Sequence, residues 1–423
     1  MLPVAQWLQL PQEVLMEIFL YLSPVEKTNV RATCSYFKVL IDHPALWKKS
    51  TIVLESSTTL NDEFWEMLQN RKIRSIEVKK MKTKQWKKLT TSMPELLNLT
   101  IGFCLTQENL LDLRPLTNLK KLHLQDCSGL LDVKVFIEIA HYGQLTHLSL
   151  CNLQDFLGVP LNALAYLKNL LFLSLHTKHG PLNPLPLQFA LFHLPKLQEL
   201  SLTVRLLSTW ALSKCFILPK AIDNQVEELS CIPRLQLQKL ELIDFGHSGL
   251  SENALDQLST LQTISLQNYR HKEGADFLNI MLKKLPNLSE INLVGSSSLD
   301  LYCIPPELEK FCALRTKINN ETLCRLSVCA RNLKYLDLSF SYGFDVCYLT
   351  KFPLLAKLYL RNINFSRETL VVLASMKSLQ AVYISSNQLL TPEAILEFQS
   401  MTANRVHIIV DELQAYSLCC CQF

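Results

Sequence analysis

A leucine-x-x-leucine-x-leucine phrase returns roughly every 22 to 27 residues through most of this 423-residue chain. It reads Leu96-x-x-Leu99-x-Ile101, Leu119-x-x-Leu122-x-Leu124, Leu145-x-x-Leu148-x-Leu150, Leu170-x-x-Leu173-x-Leu175 and Leu197-x-x-Leu200-x-Leu202. After a gap come Leu237-x-x-Leu240-x-Leu242, Leu261-x-x-Ile264-x-Leu266 and Leu288-x-x-Ile291-x-Leu293, and after a second gap Leu333-x-x-Leu336-x-Leu338, Leu355-x-x-Leu358-x-Leu360 and Leu379-x-x-Val382-x-Ile384. A fixed period of this length means that one small unit is stacked many times, because each unit can bury its apolar face only against its neighbours. Such a stack offers a long concave surface rather than a catalytic cleft, which points to recognition of another protein.

Each phrase fits a short strand whose second and third leucines point into the core. A helix after it covers the outside, so the expected class is α/β, with parallel strands on the concave face. Helices are predicted over 130–141, 252–258 and 368–375. Thr391-Pro392-Glu393 opens the last helix with a capping hydroxyl, a first-turn proline and an acid at the positive helix end. Three residues past the phrase a small polar side chain is expected to satisfy backbone inside the turn; Cys104, Cys127, Ser296, Ser341 and Asn387 stand there. Leu153, Arg205, Phe245 and Tyr269 stand there in other copies, so the repeats are irregular.

Ile73-x-x-Ile76-x-Val78 reads as a degenerate leading copy, and Val406 to Val410 as a closing strand. Residues 203–236 and 294–332 each have room for a weak repeat or an inserted loop. Eleven copies are clear, and two or three more are weak. The expected layout is a helical segment at 7–50, degenerate repeats at 51–95, the main stack at 96–410 and a cysteine-rich tail at 411–423.

Composition narrows the function. Apolar residues make up 48% and charged ones 19%, an ordered chain with much area to bury. Ten glycines leave little for phosphate-cradling loops, and a net charge of +4 does not by itself imply nucleic acid. Fourteen cysteines are scattered without the spacing of a disulfide framework. The start lacks a basic region followed by a long apolar run, and no uncharged apolar stretch reaches the roughly 20 residues that cross a bilayer. A reducing cytoplasmic or nuclear location with free thiols is the expectation.

The first fifty residues follow another pattern. Val14, Leu15, Ile18, Phe19 and Leu22 fall at helical spacing, Ser23-Pro24 interrupts, a second helix follows near Val25 to Thr33, and a third carries Cys34, Phe37 and Leu40 before Leu46-Trp47. Three short helices bury little core, so apolar surface should remain for a partner. The segment resembles an F-box through Leu10-Pro11, Leu15, Ile18-Phe19, Leu22, Cys34, Leu40 and Leu46-Trp47. Joined to leucine-rich repeats, it is similar to the F-box and leucine-rich-repeat proteins, and the resemblance spans Leu10 to Val410. Phe37 replaces a usual tryptophan, while Lys27 and Thr33 stand where apolar residues are common, which predicts looser packing of the second and third helices.

That resemblance implies a leucine-rich-repeat solenoid behind a small three-helix F-box. It implies a non-catalytic substrate-recognition subunit of a Skp–cullin–F-box ubiquitin ligase, marking a protein substrate for proteasomal degradation. Leu10, Pro11, Leu15, Ile18 and Phe19 would dock a Skp-family adaptor and, through it, a cullin. No cofactor is implied. The alternative is a repeat scaffold or inhibitor without a role in ubiquitination.

Residues alternating with the inward leucines face the concave side. They include Lys121, His123, His147, Phe172, His176, Glu199 and Glu241, then Glu290, Asn292 and Lys357. Tyr335, Asp337, Tyr359, Arg361 and Tyr383, on three consecutive clear phrases, form the candidate substrate-binding cluster, since aromatics and arginine dominate interface energetics. Glu199, Glu241, Glu290 and Asp337 draw an acidic line, suggesting a basic segment on the partner.

From Arg71 to Lys88 nine lysines and arginines stand against Glu77, with Trp86 among them; a solvated helix face explains this better than nucleic acid. The chain ends Cys419-Cys420-Cys421-Gln422-Phe423, formally a prenylation box with Cys420 as acceptor, and only such lipidation would bring the chain to a membrane. No Gly-x-Ser-x-Gly, phosphate loop or His-Glu-x-x-His is present. His123, His147 and His176 lie on successive rungs that do not converge, so no metal is expected.

Overall fold

The computed structural model describes residues 7–55, 58, 60–102, 107–126, 133–153, 161–177, 181–205, 207–218, 235–246, 249–268, 275–296, 298–363, 366–385 and 391–411. The chain forms two compact units, Met1–Gln154 and Asp155–Phe423.

The first unit opens with three helices, α1 (Gln12–Leu20), α2 (Pro24–Arg31) and α3 (Ser35–Ile41), and a 3-10 turn at Pro44–Trp47. Ser23-Pro24 both ends one helix and starts the next. The Ser23 hydroxyl accepts from Glu26 N while the Glu26 carboxylate accepts from Ser23 N, and Pro24 takes the first-turn place where no N–H is needed. Cys34 caps α3, its sulfur accepting from Phe37 N.

Parallel strands β1 (Ile52–Leu54), β2 (Ser75–Val78), β3 (Asn98–Ile101), β4 (Lys121–Leu124) and β5 (His147–Leu153) then pair in chain order. The register places Leu99 beside Leu122 and Leu122 beside Leu148, so equivalent leucines form one buried row. Burying each such side chain contributes about 2 kcal/mol, which fixes the register, since a one-residue slip would turn the row to solvent.

The second unit continues with β6 (Phe172–Thr177), β7 (Glu199–Thr203), β8 (Lys239–Ile243), β9 (Thr263–Gln267) and β10 (Glu290–Val294). It ends with β11 (Lys310–Leu314), β12 (Tyr335–Asp337), β13 (Lys357–Tyr359), β14 (Ala381–Ser385) and β15 (His407–Asp411). These strands are again parallel and in chain order. Helices fill the returns, including Glu252–Gln257, Arg367–Ala374 and Pro392–Met401, close to their predicted places. Thr391 caps the last of these by accepting from Ala394 N. The result is a leucine-rich-repeat solenoid behind a helical F-box-like segment.

Both gaps resolve. Between 294 and 332 lies a complete repeat: β11 pairs with β10 and β12, and Asn320–Cys329 is its helix. Its phrase is Leu308-x-x-Phe311-x-Ala313, in which Phe311 and Ala313 fill the leucine places. Between 203 and 236 no strand is found among the described residues, and β7 pairs directly with β8. That connection includes the helix Thr209–Phe216. Among the described residues the strands outside the eleven clear phrases are β1, β2, β11 and β15, four where two or three weak copies were expected.

Ser341 performs the predicted turn role: its hydroxyl donates to Ala313 O at 2.6 Å and accepts from Thr316 N at 3.0 Å. Ser296 donates to Ser298 O at 3.2 Å. Cys104, Cys127, Asn387, Tyr269 and the tail cysteine Cys420 lie outside the described residues.

Candidate functional site

The F-box-like helices sort their apolar residues into two stripes. Leu15 and Phe19, four apart on α1, face inward with Phe37, Leu40, Ile41, Leu46 and Trp47, and Phe19 meets Phe37 edge-on with centroids 5.6 Å apart. Val14, Ile18 and Tyr21 lie on the neighbouring stripe, and Val14 and Tyr21 are 43% and 85% exposed. Pro11 is exposed and Leu10 half-buried. The docking set expected from sequence therefore divides. Leu10, Pro11 and Ile18 reach the surface, whereas Leu15 (0% exposed) and Phe19 (4%) close the helical core. Val25 and Val39, 71% and 70% exposed, add apolar surface on α2 and α3 that the sequence did not single out.

Looser packing around Lys27 is not found. Lys27 is buried, its Nζ donates to Leu46 O at 3.0 Å and lies 5.6 Å from the Trp47 ring, so the stem fills the apolar place while the ammonium is satisfied. Burial lowers its pKa. Thr33 is exposed and donates to Val30 O at 2.7 Å.

Three of the nine cations between Arg71 and Lys88 are engaged within the fold, while Lys72, Arg74, Lys80, Lys82, Lys84 and Lys87 are exposed. Arg71 is buried against Trp47 and bonds Asp42, Lys79 pairs with Glu55 at 2.9 Å, and Lys88 with Asp62 at 2.9 Å. Trp86 is buried and donates to Asn109 O. Arg71 departs from the solvated-face expectation, because its side chain holds the F-box-like segment to the first repeat.

In the second unit the strands bring the five residues of the candidate cluster near one another. Tyr359 and Tyr383 are register partners on β13 and β14, and their rings stack in parallel with centroids 3.9 Å apart. Tyr335 on β12 joins diagonally at 4.7 Å. Arg361 lies over both Tyr359 (4.8 Å) and Tyr383 (5.8 Å), and Lys310 over Tyr335 (4.9 Å). Burial pushes the Tyr359 hydroxyl up to about 12 and that of Tyr335 up as well, so both stay neutral donors near neutral pH. Asp337 differs from the others. It is buried beside Cys312 and Tyr359, burial raises its pKa, and its carboxylate accepts from Ser339 N at 2.9 Å. Its side chain lies in the same row as Tyr359 and Tyr383 but is largely withdrawn from solvent.

The acidic line is engaged within the sheet. Glu199 pairs with its register neighbour Lys239 at 3.5 Å and Glu290 with Lys310 at 2.8 Å. Glu241 accepts from Ser201 Oγ at 2.6 Å and Gln267 Nε2 at 2.7 Å. These acids therefore do not form the line expected to draw a basic partner segment: sequence shows the acids, but only the strand register brings a cation or donor beside Glu199, Glu241 and Glu290.

His176 Nε2 lies 3.1 Å from Ser174 Oγ and 2.9 Å from Ser201 Oγ, and Ser201 in turn donates to Glu241. A serine thus stands between imidazole and carboxylate, the reverse of the order that activates a nucleophile. His123 lies 3.6 Å from Cys151, both buried, and burial holds the imidazole pKa down at about 4. Among the described residues no group of three His, Cys, Asp or Glu is placed to hold a metal ion, and no helix is long and apolar enough to cross a membrane.

Residues 7–52 match the family model described as F-box-like. A comparison with curated proteins finds no match to the chain. Among solved structures the chain is similar to an internalin from Listeria monocytogenes at 15% identity and a TM-score of 0.44, covering 76% of this chain and 82% of that one. It is also similar to the protein chain of a TLR13–ssRNA13 complex at 16% identity and a TM-score of 0.46, covering 84% of this chain and 64% of that one. At that level of similarity neither bears on function here.

Proposed function

We propose that this chain is the substrate-recognition subunit of a cullin-type ubiquitin ligase. The observation that carries the reading is the F-box-like match over residues 7–52 in one chain with a leucine-rich-repeat sheet that carries a tyrosine–arginine face, residue types that dominate protein interfaces. The F-box-like helices dock a Skp-family adaptor through the stripe of exposed Pro11 and Val14 and half-buried Ile18, with Leu10 beside it. The repeats hold a protein substrate. The chain performs no bond chemistry itself and needs no cofactor; it raises the effective concentration of substrate lysines near activated ubiquitin.

Co-purification of a Skp-family adaptor and cullin with the intact chain tests this, beside a Leu10→Ala/Pro11→Ala variant checked for folding. Recovery with the intact chain and loss with the variant is the expected result. Equal absence from both folded proteins would sink it and leave a binding scaffold.

A further inference from the structure

Ion pairs join neighbouring repeats at several places among the segments that return outside the sheet: Arg114 with Glu138, Lys284 with Glu252, Arg325 with Asp300 and Arg367 with Glu397. Three successive elements early in the second unit have none among the described residues. They are the 3-10 turn Leu161–Tyr166 and the helices Pro184–Phe192 and Thr209–Phe216, the middle one packed against both others. Residues 156–222 hold a single acid, Glu199, against six lysines and arginines. That acid lies on strand β7 and pairs with Lys239 within the sheet.

The helix Pro184–Phe192 has its polarity inverted. Its one polar side chain, Gln188, is buried and donates to Ile217 O at 2.5 Å, while Leu185 and Phe189, one turn apart, are exposed. A helix with one face in water carries polar residues there, so this composition fits a face that is covered. On either side stand Tyr166, 72% exposed, and Trp210, 68% exposed, whose hydroxyl and indole N–H have no hydrogen-bond partner among the described residues. Lys168 donates to His193 O at 2.9 Å, Lys196 to Asn169 Oδ1 at 2.7 Å, and the Lys214 ammonium lies 5.4 Å from the Trp210 ring centroid. None of these three charges meets an acid among the described residues.

Apolar side chains flanked by tyrosine and tryptophan, with lysines and without acids, match the chemistry of a bilayer interface. There the two aromatics sit at headgroup depth with their polar tips in water, and ammonium groups meet anionic lipid. An acidic protein would need carboxylates set opposite each lysine, whereas a bilayer offers diffuse negative charge and requires no such register. We propose that Tyr166, Leu185, Phe189 and Trp210, with Lys168 and Lys214 beside them, lie against an anionic membrane surface. The contact is peripheral, since no described helix is long and apolar enough to cross a bilayer. It rests neither on the receptor reading nor on prenylation at Cys420, and it replaces lipidation as the only route to a membrane. A single lipid chain anchors marginally, so the two signals would add.

The test uses the full-length chain made in bacteria, which leaves the tail unprenylated. Flotation with vesicles of phosphatidylcholine alone, and of phosphatidylcholine with about one-third phosphatidylserine, measures partitioning. The chain should float with the mixed vesicles and not with the neutral ones. The bound fraction should fall about tenfold or more in Phe189→Asp/Trp210→Asp and in Lys168→Glu/Lys214→Glu. Melting temperatures matching the parent's guard against misfolding, and the lysine pair decides if the apolar pair does not fold. Trp47, Trp65 and Trp86 are buried, so a blue shift of tryptophan emission on binding should come from Trp210 and vanish in Trp210→Phe. No flotation, equal flotation with neutral vesicles, parent-like flotation of the folded variants, or a shift that survives Trp210→Phe would overturn the proposal. So would a dimer in sedimentation that the same substitutions abolish, because a second copy would then cover the face.

Discussion

The Arg71 guanidinium lies 4.1 Å from the centroid of the Trp47 indole, stacking the turn before β2 onto the last aromatic of the F-box-like segment. The same group bonds Asp42 at 2.6 Å, and Arg31 reaches that carboxylate at 2.9 Å. Burial pushes the Asp42 carboxyl up, but the bonds from Arg31 and Arg71 outweigh it and leave its pKa lowered. The segment is therefore fastened to the repeats by a planar cation, which an ammonium does not replace.

Arg71→Ala should lower unfolding stability by about 2 kcal/mol, since it removes the stack and one partner of a half-buried carboxylate. Arg71→Lys should recover less than half of that. Urea unfolding measures both, and an unchanged midpoint in Arg71→Ala would remove the fastening role.

Core and surface residues of α1 should separate experimentally. Leu15→Ala and Phe19→Ala should each cost about 3 kcal/mol and lose adaptor binding together with helix content. Ile18→Glu should keep its circular dichroism spectrum and lose the adaptor alone. Retained adaptor binding in folded Ile18→Glu would place docking elsewhere on these helices.

His123 gives the first unit a pH dependence of known sign. Its imidazole is held at about 4 by burial against an ordinary value of 6.5, so the folded state keeps it neutral while the unfolded chain takes up a proton. The contribution is complete above pH 6.5 and is lost as pH falls toward 4, by up to about 3 kcal/mol. His123→Gln should flatten the change in urea midpoint between pH 7 and pH 5; an unaltered slope would contradict this.

Asp337 should act in the opposite sense. Burial raises its pKa, the bonds from Ser339 offsetting this only in part, so the charged form disfavours the fold and stability gains as the carboxyl is protonated. Asp337→Asn keeps an acceptor for Ser339 N and should stabilise by about 1 kcal/mol at pH 7, with the gain shrinking in acid. Calorimetry at the two pH values decides, and a loss of stability at pH 7 would mean the charge is compensated.

The thiols should react by exposure. Burial pushes Cys215 up to about 12 and raises Cys312 as well, whereas Cys329 and Cys347 are exposed. The hydrogen bond with the Asp345 side chain raises the Cys347 thiol, so Cys329 should alkylate first among the described cysteines. Peptide mapping after brief iodoacetamide treatment reads the order. Fast reaction at Cys312 would contradict this order.

The repeat was legible because its leucines are spaced by the geometry of the unit, so periodicity alone specified parallel strands, returning helices and the tyrosine cluster of Tyr335, Tyr359 and Tyr383. The repeat at β11 escaped because Phe311 and Ala313 satisfy burial as leucine does while erasing the letters of the phrase. Sequence also marked α1 as amphipathic but did not separate Leu15 and Phe19 from Val14 and Ile18, since which stripe faces inward depends on where α3 and Trp47 pack. Charge depended most on the tertiary structure: Glu199 and Glu290 read as an acidic line until register set Lys239 and Lys310 beside them. Local spacing carries the fold, because each unit buries the same residues against its neighbours. Partner, burial and sign of charge at the site arise between strands some 20 to 40 residues apart, where only the folded chain brings the groups within reach.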